Sequence, residues 1–160
     1  MAAPPGVRTS HDDSASARLT RSATAVWTPR GDLRFAPGGD LVDARGGRWS
    51  VEGDPMALGL ETADGRVASR SHPLALWRLW SALESPRTGD LLISADGGYE
   101  FVDWGGIAHV GGGSHGSLLR GDSLGALIMC GVEPPAGEAP EQWTIADVTP
   151  LVLGHFTLPS

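Results

Sequence analysis

The 160-residue chain carries twelve basic and nineteen acidic residues, and its net charge of -7 disfavours nonspecific binding to nucleic acid or anionic membranes. The single cysteine, Cys130, excludes an internal disulfide and a thiolate metal cluster, so the fold needs no oxidising compartment. No apolar stretch approaches the roughly 20 residues of a membrane span. The N-terminus also lacks a hydrophobic signal core, and a cytoplasmic protein is the expectation.

This length suits one domain or one piece of a larger one. Twenty-three glycines and twelve prolines signal many turns, while six tryptophans and 41% apolar residues argue for packed structure. All twelve basic residues are arginine, which reflects codon composition more simply than function.

Residues 1–21 are rich in Ala, Pro, Ser and Asp and are expected to be a disordered tail. Residues 22–84 read as a hairpin-rich segment followed by a helix. "ATAVWT" (23–28) and "DLRFA" (32–36) are strand-like runs around "PRG", and "GGRWSVEGD" (46–54) offers a further strand centred on Trp49 and Val51. Asp54 and Pro55 mark the start of a helical turn, and Asp64-Gly65 marks a tight turn. In "SHPLALWRLWSAL" (71–83), Ser71 or His72 is the expected cap and Pro73 the first helical residue. That assigns His72 to a capping or surface place rather than to a metal.

Within 85–160, "LLISA" (91–95) and "ALIMCG" (126–131) are short unalternating apolar runs, expected as strands buried on both faces. Cys130 is then expected to be a buried, inert thiol. The segment "TIADVTPLVLGHF" is helical by pattern. Asp147 is the preferred cap, because that choice keeps Pro150 in the first turn, where its missing N-H costs little. Buried strands alternating with loops and helices point to an α/β layer, with an antiparallel hairpin region near the N-terminus.

The least ordinary stretch is "GGGSHGSLLRGDSLGALIMCG" (111–131). Gly112, Ser114 and Gly116 form the G-x-S-x-G of a nucleophile elbow, and Ser114, Asp122 or Asp147, and His155 stand in the order of a serine hydrolase. An elbow needs a strand directly before the serine and a helix directly after it. Three glycines precede Ser114, and Gly121 and Gly125 interrupt the residues after it, so this reading ranks third. Asp103, His109, His115 and Asp122 are the nearby ionisable side chains. His109 and His115 lie six apart, which matches no compact zinc pattern. Asp103 and Asp122 are expected to satisfy loop amides. No run ends in the Gly-Lys-Ser/Thr of a phosphate-cradling loop.

The run "GDLLISADGGYEFVDWGGIAHVGGGSHGSLLRGDSLGALIMCGVEPP", with "WTIADVTPLVLGHF" after it, resembles the C-terminal end of the alkaline phosphatase superfamily. More narrowly, it is similar to the actinobacterial type I phosphodiesterase/nucleotide pyrophosphatase-like proteins. The similarity covers residues 85–158 best, and "GGSHGS-x5-DS-x-ALIMCG" is its most specific part.

The resemblance implies a mixed sheet flanked by helices and hydrolysis of phosphomono- or diesters through a phosphoryl-enzyme. It further implies two divalent metals, with Zn2+ expected. The last metal ligand of such proteins is a histidine in a glycine-rich loop, the position His115 matches; His109 would be a second-shell or substrate-side group. The Thr or Ser nucleophile, the Asp-x3-His and the Asp-His pair have no counterparts in these 160 residues. "SHDDS" reverses the order of the pair, so His11, Asp12 and Asp13 are read as a solvated tail.

The expectation is therefore a C-terminal fragment, from a truncated or mis-started frame, holding at most a partial metal site and inactive alone. Its partners would be a phosphoester substrate and the missing N-terminal portion. The alternative is a non-catalytic remnant or interaction module that pairs through an exposed sheet edge.

Overall fold

The computed structural model describes residues 22–99, 101, 116–131 and 142–156. Among them the fold is α/β, with a mixed, open sheet of five strands and three helices. The sheet is built from the hairpin-rich N-terminal part, not from the runs at 91–95 and 126–131.

Strand β1 (Thr24–Thr28) turns through Pro29 and Arg30 into β2 (Gly31–Val42), pairing antiparallel from Thr24↔Phe35 to Thr28↔Gly31. The Thr28 hydroxyl donates to the Gly31 carbonyl at 3.1 Å and accepts from the Arg30 amide at 3.1 Å, which closes this two-residue turn. β2 runs well beyond the expected residues 32–36 because it crosses a bulge between Pro37 and Leu41. The bulge accommodates Pro37, which has no amide to give to a ladder. Gly39 lies so close to β3 (Arg48–Gly53) that an added Cβ would stand 2.1 Å from the Ser50 nitrogen.

β3 lines the opposite edge of β2 from β1. The hairpin of β4 (Leu60–Ala63) and β5 (Arg66–Ser69) turns at Asp64 and Gly65, both at positive φ (50° and 71°), as the Asp-Gly pair demands. β5 meets β2 through a parallel pairing, Val42↔Arg66, which makes the sheet mixed.

Between β3 and β4, the 3-10 turn Pro55–Leu58 starts as its sequence predicts. The Asp54 carboxylate accepts the Met56 amide at 2.8 Å, and Pro55 takes the first position.

The core lies between this sheet, the 3-10 turn and helix α1 (Ala75–Leu83). Leu33 and Phe35 alternate inward from β2, Trp49 from β3, Leu60 and Val67 from the second hairpin, and Leu76 and Leu79 from α1. Phe35 meets Trp49 edge-on at 5.7 Å, and Trp49 meets Trp80 of α1 at 6.3 Å. The buried Trp49 indole N-H donates to the buried Asp43 carboxylate at 2.7 Å. The same carboxylate accepts the backbone amides of Arg45 and Gly47, fixing the turn between β2 and β3.

Four local expectations are corrected. Helix α1 begins at Ala75, after Leu74 in the left-handed region (φ 52°), with no side-chain cap. Ser71 and His72 are drawn instead into contacts with the 3-10 turn and its neighbours. Residues 91–95 and 126–131 form no strand; Leu91, Ile93 and Ile128 are 66%, 69% and 88% exposed. Among the described residues no neighbouring strand completes a ladder for either run, and a short apolar run does not by itself encode burial. Cys130 is accordingly exposed, not buried.

Finally, α3 (Ile145–Phe156) starts after Thr144, with Asp147 inside its first turn and Pro150 in its second. Pro150 is tolerated there at the loss of one backbone bond, because Asp147 secures the helix start. No helix among the described residues is long and apolar enough to cross a membrane.

The buried Asp43 carboxylate joins three donors at one point, so Asp43→Ala is expected to cost about 2–4 kcal/mol. Urea denaturation monitored by tryptophan fluorescence measures this, and a loss below about 0.5 kcal/mol would show that the turn holds without it.

Candidate functional site

The loop after β2 and the start of α3 meet over α1. Arg45 donates from Nη1 and Nη2 to both oxygens of Asp147, at 2.7 and 2.8 Å, and from Nη1 to the Thr144 hydroxyl at 3.2 Å. Its guanidinium lies over the Trp77 ring, 4.8 Å from the centroid. Asp147 also accepts the Thr144 amide and hydroxyl, at 2.7 and 2.8 Å. This fork-to-fork geometry is the strong form of an ion pair. With the two side chains only 21% and 18% exposed, it fixes α3 against the β2–β3 turn. The Asp147 carboxyl is held well below the usual carboxylate range, first by the Arg45 hydrogen bonds and then, against the opposing effect of desolvation, by Thr144.

Beside this contact lies a cavity of about 460 Å3 between α1, residues 123–127 and the start of α3. Trp77, Arg78, Leu127, Trp143, Ile145 and Val148 are among its walls. Arg78 forms one wall and also holds the neighbouring chain: it donates to the carbonyls of Ser117 (3.3 Å), Leu118 (3.1 Å) and Pro73 (3.3 Å). The Arg120 amide donates to the Ser71 carbonyl at 2.8 Å, and the Leu118 amide to the Ser94 hydroxyl at 3.1 Å. Residues 117–120, immediately after the glycine-rich run, are thus stitched to α1 and its approach.

His72 lies on the other side of that approach. Its Nδ1 stands 3.1 Å from the Leu58 carbonyl and 2.9 Å from the Ser71 hydroxyl, and the residue is 7% exposed. A carbonyl only accepts, so Nδ1 carries the proton and is no base for Ser71. Burial pushes the imidazole pKa down, outweighing the Leu58 bond that raises it, and His72 is a neutral core residue. The expected surface or capping place is corrected: the ring joins α1's approach to the 3-10 turn.

The sequence-predicted site is only partly within view. His115, His109, Ser114, Asp103, His11, Asp12 and Asp13 lie outside the described residues. Asp122 falls in the short helix α2 (Arg120–Ser123) and accepts the Ser117 hydroxyl at 2.5 Å, a side-chain partner in place of the expected loop amides. Asp147 is committed to Arg45, and His155 stacks edge-on against Phe156 at the end of α3.

Among the described residues no three His, Cys, Asp or Glu side chains gather as a metal would require. The carboxylates of Asp122 and Asp147 are engaged by the Ser117 hydroxyl and by Arg45. Arg45 and Arg78 escaped the sequence reading. A cation between Trp77 and Leu79 on a buried helix face was a usable signal for Arg78, whereas a partner 102 residues away left none for Arg45.

Compared with family models, curated proteins and solved structures, the chain matches none.

Two pH dependences are expected. The folded pKa of Asp147 is depressed, so its contribution is present above the unfolded carboxylate value of about 3.9 and is lost as pH falls below it. Acid titration of near-ultraviolet circular dichroism is expected to keep the Trp77 contribution through the usual carboxylate range and to lose it only well below about pH 4, and Asp147→Asn to remove that step. The folded pKa of His72 is also depressed, so stability falls as pH drops through the unfolded histidine value of about 6.5. His72→Gln is expected to flatten the slope of unfolding free energy between about pH 5 and 7; an unchanged slope would mean another group carries it.

Proposed function

We propose that this chain contributes to metal-dependent phosphoester hydrolysis of the alkaline phosphatase superfamily type, with His115 as a ligand of a divalent metal, expected to be zinc. The observation that carries this reading is the ordered run "GGSHGS-x5-DS-x-ALIMCG", continued by "WTIADVTPLVLGHF". Two structural features support it. The exposed apolar runs Leu91–Ile93 and Leu127–Met129 have the composition of inner strands that lack neighbours. The stretch just beyond the glycines is fixed to α1 by Arg78 and Ser71, the kind of firm footing a ligand-bearing loop requires.

His115 is one ligand out of the several that a dinuclear centre uses, and no nucleophile pattern is present in the 160 residues. The chain by itself is therefore expected to be inactive. The substrate class is a phosphomono- or diester. The serine-hydrolase reading gains nothing from the geometry: α2 begins six residues after Ser114, and Asp147 is engaged by Arg45. A non-catalytic interaction module is the second reading, favoured by the same exposed apolar runs.

Zinc titration monitored by NMR of the imidazole nitrogens tests the assignment. His115 is expected to respond ahead of His72 and His155, retaining less than one zinc per chain after dialysis, and His115→Ala to abolish the response. A silent His115 would sink the ligand role and leave the interaction module. Chelator-sensitive turnover of a chromogenic phosphodiester by the purified chain would instead overturn the expectation of inactivity.

A further inference from the structure

The two arginines beside Trp77 differ in one respect. Arg45 is neutralised by the carboxylate of Asp147, whereas Arg78 has no carboxylate partner among the described residues. Its three carbonyl partners satisfy N-H groups without cancelling charge. A guanidinium has five N-H donors. All three bonds come from Nη1 and Nη2, and Nε-H has no partner among the described residues. The edge of the plane that carries Nε-H and the adjoining Nη2-H is one that grips a carboxylate with two parallel bonds. Arg78 is half-buried, and desolvation pushes its pKa down, as an uncompensated buried cation requires.

This cation forms part of a wall that is otherwise largely apolar and aromatic, with Trp77 and Trp143 beside Leu127, Ile145 and Val148. A volume of about 460 Å3 falls within the range of small-molecule sites, which are mostly apolar with a few placed polar groups.

We propose that this cavity binds a small amphipathic carboxylate. The carboxylate pairs side-on with Nε and Nη2 of Arg78, and a flat apolar body rests against Trp77 and the Leu127–Val148 wall. Binding there needs no metal. A neutral ligand of the same shape gains the apolar contact but leaves the Arg78 charge unmet. An acid without an apolar body gains the ion pair alone.

Isothermal titration of the full chain with 2-naphthoate, its neutral analogue naphthalene-2-carboxamide, and acetate tests this in metal-free buffer at pH 7. Naphthoate is expected to bind 1:1, at least tenfold more tightly than the carboxamide, with acetate not saturating. Arg78→Gln is expected to abolish the acid-over-amide preference. Because Arg78 also holds residues 117 and 118, a second variant leaves it in place: Val148→Trp fills the cavity and is expected to block both naphthalene ligands while near-ultraviolet circular dichroism keeps its folded form. Equal affinity for acid and amide, no saturable binding of either, or unchanged binding in Val148→Trp would each overturn the proposal. The acid-to-amide comparison on the unaltered chain decides the matter even if Arg78→Gln does not fold.

Discussion

The structure depends on a carboxylate placed where water does not reach it. Asp43 directly follows β2 and accepts the Trp49 indole N-H together with the amides of Arg45 and Gly47. A buried carboxylate without such donors would cost several kcal/mol, so the turn geometry and the burial of Trp49 stand or fall together. Trp49 in turn joins Phe35 of β2 to Trp80 of α1. Gly47 leaves room for this arrangement, since a Cβ there would sit 2.9 Å from the Asp43 carboxylate and force it to shift. From the same turn Arg45 reaches over Trp77 to Asp147, so the long-range attachment of α3 is set by the short-range geometry of residues 43–47.

That chain of dependence explains the uneven distribution of burial. Among the described residues the buried apolar side chains fall between Leu33 and Leu83, where hairpins, a capped turn and α1 enclose one another. Beyond α1, the described segments are attached by polar contacts more than by packing: Arg78 to the carbonyls of Ser117 and Leu118, Arg120 to Ser71, Asp147 to Arg45. Polar attachment to a folded body sets position at little apolar gain. Side chains such as Ile93, Ile128 and Phe156 consequently remain turned to solvent.

The sequence revealed the features whose causes are local. Asp64-Gly65 specifies a turn with two positive φ angles, Asp54-Pro55 specifies the start of a helical turn, and Trp49 with Val51 sets a strand's alternation. It misled where a distant partner decides. Ser71-His72-Pro73 reads as a helix start, yet the Leu58 carbonyl claims the His72 ring and the helix begins later. Pro150 argued for a cap at Asp147, but Arg45 and Thr144 hold that carboxylate within the first turn. Residues 91–95 and 126–131 have strand composition, and composition cannot supply the neighbouring strand that a ladder needs. The site divides in the same way. His115 was singled out by its glycine-rich setting alone, while Arg78 becomes conspicuous only when its charge balance is known.

Arg45 and Arg78 show how similar side chains near one aromatic ring are given different tasks by what opposes their charge. A bidentate carboxylate cancels the charge of Arg45, and the pair serves as a fixed strut. Three carbonyls hold Arg78 in place, but a carbonyl carries only a partial charge, and the cation remains electrostatically open. Filling the Nε edge with an acidic side chain would have been the simpler way to stabilise a half-buried guanidinium, and residues 117–124 include an acid, Asp122, close in sequence to two of the three carbonyl partners, Ser117 and Leu118. Asp122 accepts the Ser117 hydroxyl instead. The segment that satisfies Arg78's hydrogen bonds therefore leaves its charge in place beside the cavity, an arrangement that favours an anionic occupant over a neutral one.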